Sequence, residues 1–90
     1  MRFEWDEHKA RINLLKHGVS FSEASSAFGD WDGLETLDRD HSGDEARFIL
    51  VGRSAVGRLL VVVHTERGET VRLISARKAT WRERLAYEGR

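Results

Sequence analysis

The sequence predicts an α+β domain: two N-terminal helices, a four-stranded antiparallel sheet and a C-terminal helix. Three observations carry this. Apolar residues recur at helical spacing over the first third of the chain, the period changes to two from residue 34, and a helical pattern returns after residue 79. Ninety residues without proline, internal repeat or low-complexity linker make one domain, residues 1–90.

The first helix is expected from Glu7 to His17. Asp6 is placed to cap it, Glu7 and the Lys16–His17 pair suit its positive and negative ends, and Gly18 is the left-handed stop. Ile12 and Leu15 share one face, bordered by Ala10 and Leu14. Lys9, Asn13, Lys16 and His17 are expected in water. In "SFSEASSAF", Ser20 and Glu23 fit a capping box, and Phe21, Ala24 and Phe28 point one way, giving a short second helix. The segment "GDWDG", 29–33, is a loop.

A weak acidic strand is expected over 34–39 and a turn over 41–45. Strands rich in β-branched residues follow at 46–53, 58–65 and 70–77. Their links, 54–57 and 66–69, are short and each holds a Gly, so neighbours run antiparallel. The strand "RLLVVVHT" is apolar on both faces and is expected at the centre, covered on both sides. Thr80 and Glu83 then form a second capping box at the start of the last helix. Trp81 and Leu85 share a face expected to dock on the sheet. Glu83 and Tyr87 share another.

Several classes are excluded or disfavoured. No cysteine means no disulfide and no thiolate metal site, which fits a reducing compartment. The longest uncharged apolar run, Leu59 to Val63, is far below the roughly 20 residues that span a bilayer. The start "MRFEWDEHKA" is too polar for a signal peptide, so a soluble cytoplasmic domain without membrane partners is expected. The four histidines (8, 17, 41, 64) are scattered, no metal-binding spacing is present, and no metal or other cofactor is expected. No G-x-S-x-G elbow singles out a serine nucleophile.

The net charge of zero conceals a split. Residues 19–46 carry a net of −7 and residues 47–90 a net of +6. Either the halves neutralise each other across the fold, or the basic half meets an anionic partner. Arg77 and Lys78 fall at the junction between last strand and last helix, beside a positive helix end. Cations there call either for a bound phosphate or for pairing with Glu83 or Glu66.

One reaction needs little beyond cations and a proton-transfer group: metal-free RNA cleavage, in which the 2′-OH is the nucleophile. The protein loosens that proton, stabilises the phosphorane and protonates the leaving 5′-oxygen. Arg72 and Arg77 suit the phosphate, since the guanidinium fork makes two bonds and stays charged. Their opposite strand parity separates them unless a bulge intervenes. His64 is either a half-buried structural side chain or an acid/base. Lys16, His17 and Tyr87 are either local structural groups or participants in proton transfer and positioning. Glu83 is explained by its cap, and the three Trp residues chiefly by the core.

Over nearly the whole chain, "FEWD", "KHGVSF", "VHTERGETVRLISAR" and the closing A-T-x-x-E-R-x-x-Y resemble, in order, the BrnT family of toxins. The likeness is weakest from Gly29 to Glu45. The resemblance implies a RelE-like fold and an endoribonuclease that blocks translation. It further implies neutralisation by a BrnA-like ribbon-helix-helix antitoxin, with operator DNA bound only through that complex. The matching polar positions are Lys16, His17, Arg72, Ser75, Arg77, Glu83, Arg84 and Tyr87. On this reading Arg72 and Arg77 hold the phosphate, Lys16, His17 and Tyr87 transfer protons or position groups, and Glu83 and Arg84 orient Arg77 or Tyr87. Lys78, Arg82 and Arg84 contact the RNA backbone. The alternative is a non-enzymatic binding module, or an inactive homologue that serves as antitoxin partner and co-repressor.

Overall fold

The computed structural model describes all 90 residues. Strand β1 (Arg2–Glu4) leads into helices α1 (Glu7–His17) and α2 (Phe21–Ser26), the latter ending in a 3-10 turn over Ala27–Gly29. Strands β2 (Leu34–Asp38), β3 (Arg47–Arg53), β4 (Leu59–Arg67) and β5 (Thr70–Lys78) follow, then helix α3 (Trp81–Glu88). The sheet order is β1-β5-β4-β3-β2, antiparallel throughout except that β1 runs parallel to β5. The sheet is therefore five-stranded and mixed, where four antiparallel strands were expected. The extra strand spans three residues, too short for an alternation to register in sequence.

The core lies between the sheet and the α1–α2 layer. Val19, Phe21, Ala24 and Ala27 pack on Leu50, Leu60, Val62, Val71, Leu73 and Ala76. Gly52 permits this approach, because a Cβ there would stand 2.9 Å from the Ala27 carbonyl oxygen. Strand β4 is central, and Leu59 to Val62 are buried on both faces, as their uninterrupted apolar run requires. The β4–β5 hairpin turns on Gly68 at φ 62°, a conformation a side chain would strain.

Both ends of α1 follow the sequence. The Asp6 carboxylate accepts the Lys9 amide at 3.1 Å, and Gly18 at φ 68° donates its N–H to the Leu14 carbonyl. The buried face does not. Leu15 is 88% exposed and Ile12 and Leu14 about half exposed, whereas Asn13, expected in water, is buried. The cause lies in β5. Strand β1 pairs only with Thr70 to Arg72, which leaves the β5 edge beyond it without a neighbouring strand. The Asn13 amide fills that place. It donates to the carbonyls of Ala76 (2.8 Å) and Val19 (3.0 Å) and accepts the Ala76 amide (3.1 Å). A carboxamide carries the same donor and acceptor as a peptide group, so it outcompetes leucine for this position.

The first capping box is half formed. Ser20 accepts the Glu23 amide at 3.0 Å, but the Glu23 carboxylate turns to the Ser54 hydroxyl (2.8 Å) and the Arg58 guanidinium. It thereby ties α2 to the β3–β4 hairpin. The second box is complete: Thr80 Oγ1 accepts the Glu83 amide (3.2 Å), and Glu83 accepts the Thr80 amide (2.8 Å). Helix α3 docks through its Glu83–Tyr87 stripe. Trp81 is 72% exposed and Leu85 about half exposed, while Tyr87 is buried. Both stripes repeat every four residues, so spacing favours neither. The choice is made by polar partners, Arg77 on β5 for Glu83 and Asp30 in the loop before β2 for Tyr87.

Candidate functional site

Strand β5 carries a bulge. Val63 pairs with Ser75 and His64 with Leu73, leaving Ile74 as the extra residue. An inserted residue reverses side-chain parity beyond it. Val71, Leu73 and Ala76 consequently all face the core, and Arg72, Ser75 and Arg77 all face the opposite side. The two arginines thus share a face. Their β4 partners, Thr65 and Val61, are four residues apart, so about 13 Å of strand separates them.

Each is held by a carboxylate. Arg77 forms a two-pronged pair with Glu83, at 2.7 and 2.9 Å. The Arg77 hydrogen bonds, outweighing burial and aided by the Thr80 amide, bring the Glu83 carboxyl down to about 2. Glu83 raises the Arg77 guanidinium in turn. Arg72 Nη1 lies 2.7 Å from Glu4 Oε2, on the neighbouring strand. Of the two cations at the strand–helix corner, then, Arg77 is met by an acid in the first turn of α3. Lys78 is exposed and makes no ion pair. Arg82 is likewise exposed and unpaired, and Arg84 stands 3.6 Å from Glu88.

Lys16 and His17 line a shallow cleft of about 180 Å³ between α1 and the free edge of β5, with Lys9, Ile74 and Ser75 among its other walls. Ser75 therefore borders this cleft and also stands in the Arg72–Arg77 row. Neither arginine lines the cleft, so Ser75 is the one residue common to the row and the Lys16–His17 walls.

Tyr87 stands apart from the cleft. Its hydroxyl donates to Asp30 Oδ2 at 2.5 Å, and the Arg90 and Arg53 guanidinium carbons lie 4.7 and 5.5 Å from its ring centre. That bond, with burial, raises the phenol above its ordinary value. Burial raises the Asp30 carboxyl, but bonds from Tyr87 and from the Arg53 and Asp32 amides outweigh it and leave it below the usual range. The Tyr87 hydroxyl is thus a neutral donor committed to a carboxylate, and it anchors α3.

His64 belongs to the opposite face. It is fully buried between the rings of Phe28 and Phe48, with Nε2 at 2.8 Å from Glu35. Sequence reasoning also gave no role to Glu4, Asp30 or Asn13, each of which fixes a site residue or its strand. Only the pairing of β1 with β5 would have pointed to Glu4, and nothing local marks Asp30.

Comparison with known proteins bears on the chain as a whole. The family model for the ribonuclease toxin, BrnT, of type II toxin–antitoxin systems matches residues 5–83. The fold is similar to that of the Brucella abortus ribonuclease toxin BrnT, solved at 1.1 Å. The TM-score is 0.65 at 23% identity, over 89% of this chain and 97% of that one. No curated protein sequence matches.

Proposed function

This chain belongs to the BrnT family of type II ribonuclease toxins, and from that premise we propose that it cleaves RNA without a metal and so inhibits translation. The single observation that carries the proposal is the bulge at Ile74, which sets Arg72, Ser75 and Arg77 on one face beside the Lys16–His17 cleft. Arg77, with Glu83 fixing its fork, stabilises the extra negative charge of the phosphorane. Arg72 holds the backbone further along the strand. His17, with Lys16 beside it, moves the proton of the attacking 2′-OH or of the leaving 5′-oxygen. Tyr87 positions α3, and Lys78, Arg82 and Arg84 track neighbouring phosphates. The setting is cytoplasmic and the fold RelE-like. The partner is a BrnA-like ribbon-helix-helix antitoxin, through which alone operator DNA is bound. No helix is long and apolar enough to cross a membrane.

The test is purified protein with RNA in EDTA. Cleavage by wild type, lost in Arg77→Ala with an unchanged circular dichroism spectrum, supports the reading. Intact RNA with wild type, both free and on ribosomes, sinks it.

A second reading rests on a specific observation: Arg72 and Arg77 are both already neutralised, by Glu4 and Glu83. On that reading the chain is an inactive homologue that retains the antitoxin contact and co-repression. Expression without an antitoxin separates the two, since an active toxin arrests growth and an inactive one does not.

A further inference from the structure

On the helical face of the sheet, away from the arginine row, three potential metal ligands converge. His64 and Glu66 lie two residues apart on β4 and so point the same way. Glu35 reaches them from β2, across β3. His64 Nε2 stands 2.8 Å from Glu35 Oε1 and 3.9 Å from Glu66 Oε1, and one donor atom from each of the three lies within 4.8 Å of the others.

These separations can be set against a metal's demands. Zinc binds imidazole nitrogen and carboxylate oxygen at about 2.0–2.2 Å in tetrahedral geometry, which spaces the donors roughly 3.3–3.5 Å apart. The trio brackets that spacing. The adjustment falls on Glu35 and Glu66, whose side chains are 43% and 46% exposed and free to move by about 1 Å. The imidazole does not need to move. Phe48 stacks on it and Phe28 meets it edge-on, so the central strand presents a pre-oriented nitrogen at the mouth of the pair of acids. A cation between the two carboxylates would offset their mutual repulsion. Nδ1 of His64 is buried without a partner. In the neutral ring it carries a bare lone pair when Nε2–H bonds Glu35, and a proton when Nε2 binds metal. That cost is present in both states and does not decide between them.

We propose that Glu35, His64 and Glu66 form a divalent transition-metal site, with zinc the fitting ion and a fourth position open to water. A fixed imidazole with only two carboxylates favours zinc over calcium, which needs six to eight oxygens, and over magnesium, which needs an oxygen octahedron. The metal would clasp edge strand β2 to central strand β4 over the back of β3. It lies on the far face from the phosphate row and takes no part in RNA cleavage.

The experiment titrates zinc chloride into the full chain, cleared of metal with EDTA and desalted, against a chromophoric chelator. Thermal unfolding with and without zinc runs in parallel. One equivalent per chain is expected, with a raised melting temperature. In the Glu35→Gln/Glu66→Gln double variant, whose changed side chains are exposed, zinc affinity should fall at least tenfold and the thermal shift should vanish. A His64→Ala variant risks the core, so the double variant decides. Substoichiometric binding by wild type, or equal affinity in the double variant, overturns the site. Calcium or magnesium binding as tightly as zinc overturns the choice of ion.

Discussion

Arg77 and Glu83 face each other across the turn from β5 to α3, joined by two parallel hydrogen bonds. Glu83 also closes the capping box of that helix, so one carboxylate fixes both the guanidinium and the helix start. Its carboxyl is lowered from 4.5 to about 2 in the folded protein. The stabilisation is therefore full above pH ~5 and is lost as pH falls from there toward 2. With the Arg77 and Glu83 side chains 41% and 29% exposed, solvent screening reduces it to about 1–2 kcal/mol. Urea unfolding at pH 7 and pH 3 should show the larger part of that loss in wild type, and Glu83→Gln should flatten it.

Removing either arginine of the row should impair cleavage without unfolding the chain, because both project from a sheet face outside the main core. Arg77→Ala is expected to lower the initial rate on RNA about 10²–10³-fold, as the loss of one phosphorane-stabilising donor does. Arg77→Lys should recover little of it, because an ammonium cannot make the parallel pair. Full activity in Arg77→Ala would move the phosphate site elsewhere.

Asn13→Ala should be among the most damaging substitutions on α1. It strands the amide and carbonyl of Ala76 and the carbonyl of Val19 in a buried setting. An orphaned buried group costs about 1–3 kcal/mol, so a loss of about 2–4 kcal/mol in urea unfolding is expected. Leu15→Ala, at a site 88% exposed, should change stability by less than about 0.5 kcal/mol. Comparable losses from the two would contradict the arrangement.

Tyr87 is the only tyrosine, so tyrosinate absorbance reports a single group. Its midpoint should lie above 10.0, because ionisation would set a phenolate against the Asp30 carboxylate. Asp30→Asn should bring the midpoint back toward the ordinary value. A wild-type midpoint at or below 10.0 would mean that the hydroxyl is not held as described.

Much of this molecule could be read from the chain. Asp6, Gly18, Thr80 and Glu83 mark helix ends through local chemistry, and the run from Leu59 to Val63 announces a central strand. What escaped depended on non-local geometry. Strand β1 gains its identity only by pairing with residues some 68 positions away. Asn13 is buried because that pairing stops at Arg72, and no property of α1 alone reveals it. The bulge at Ile74 was legible only as a condition: Arg72 and Arg77 could share a face if the parity slipped. The convergence of Glu35 and Glu66 on His64 is invisible in sequence, where Glu66 reads as part of the link after the strand.

The Asn13 amide has a consequence beyond the monomer. An open strand border is a template on which a second chain can lay its own backbone. Between Leu73 and Lys78 one carboxamide occupies that template, where a sixth strand would otherwise be needed. The Ala76 amide and carbonyl are thereby closed to another chain's backbone, and a single side chain does it.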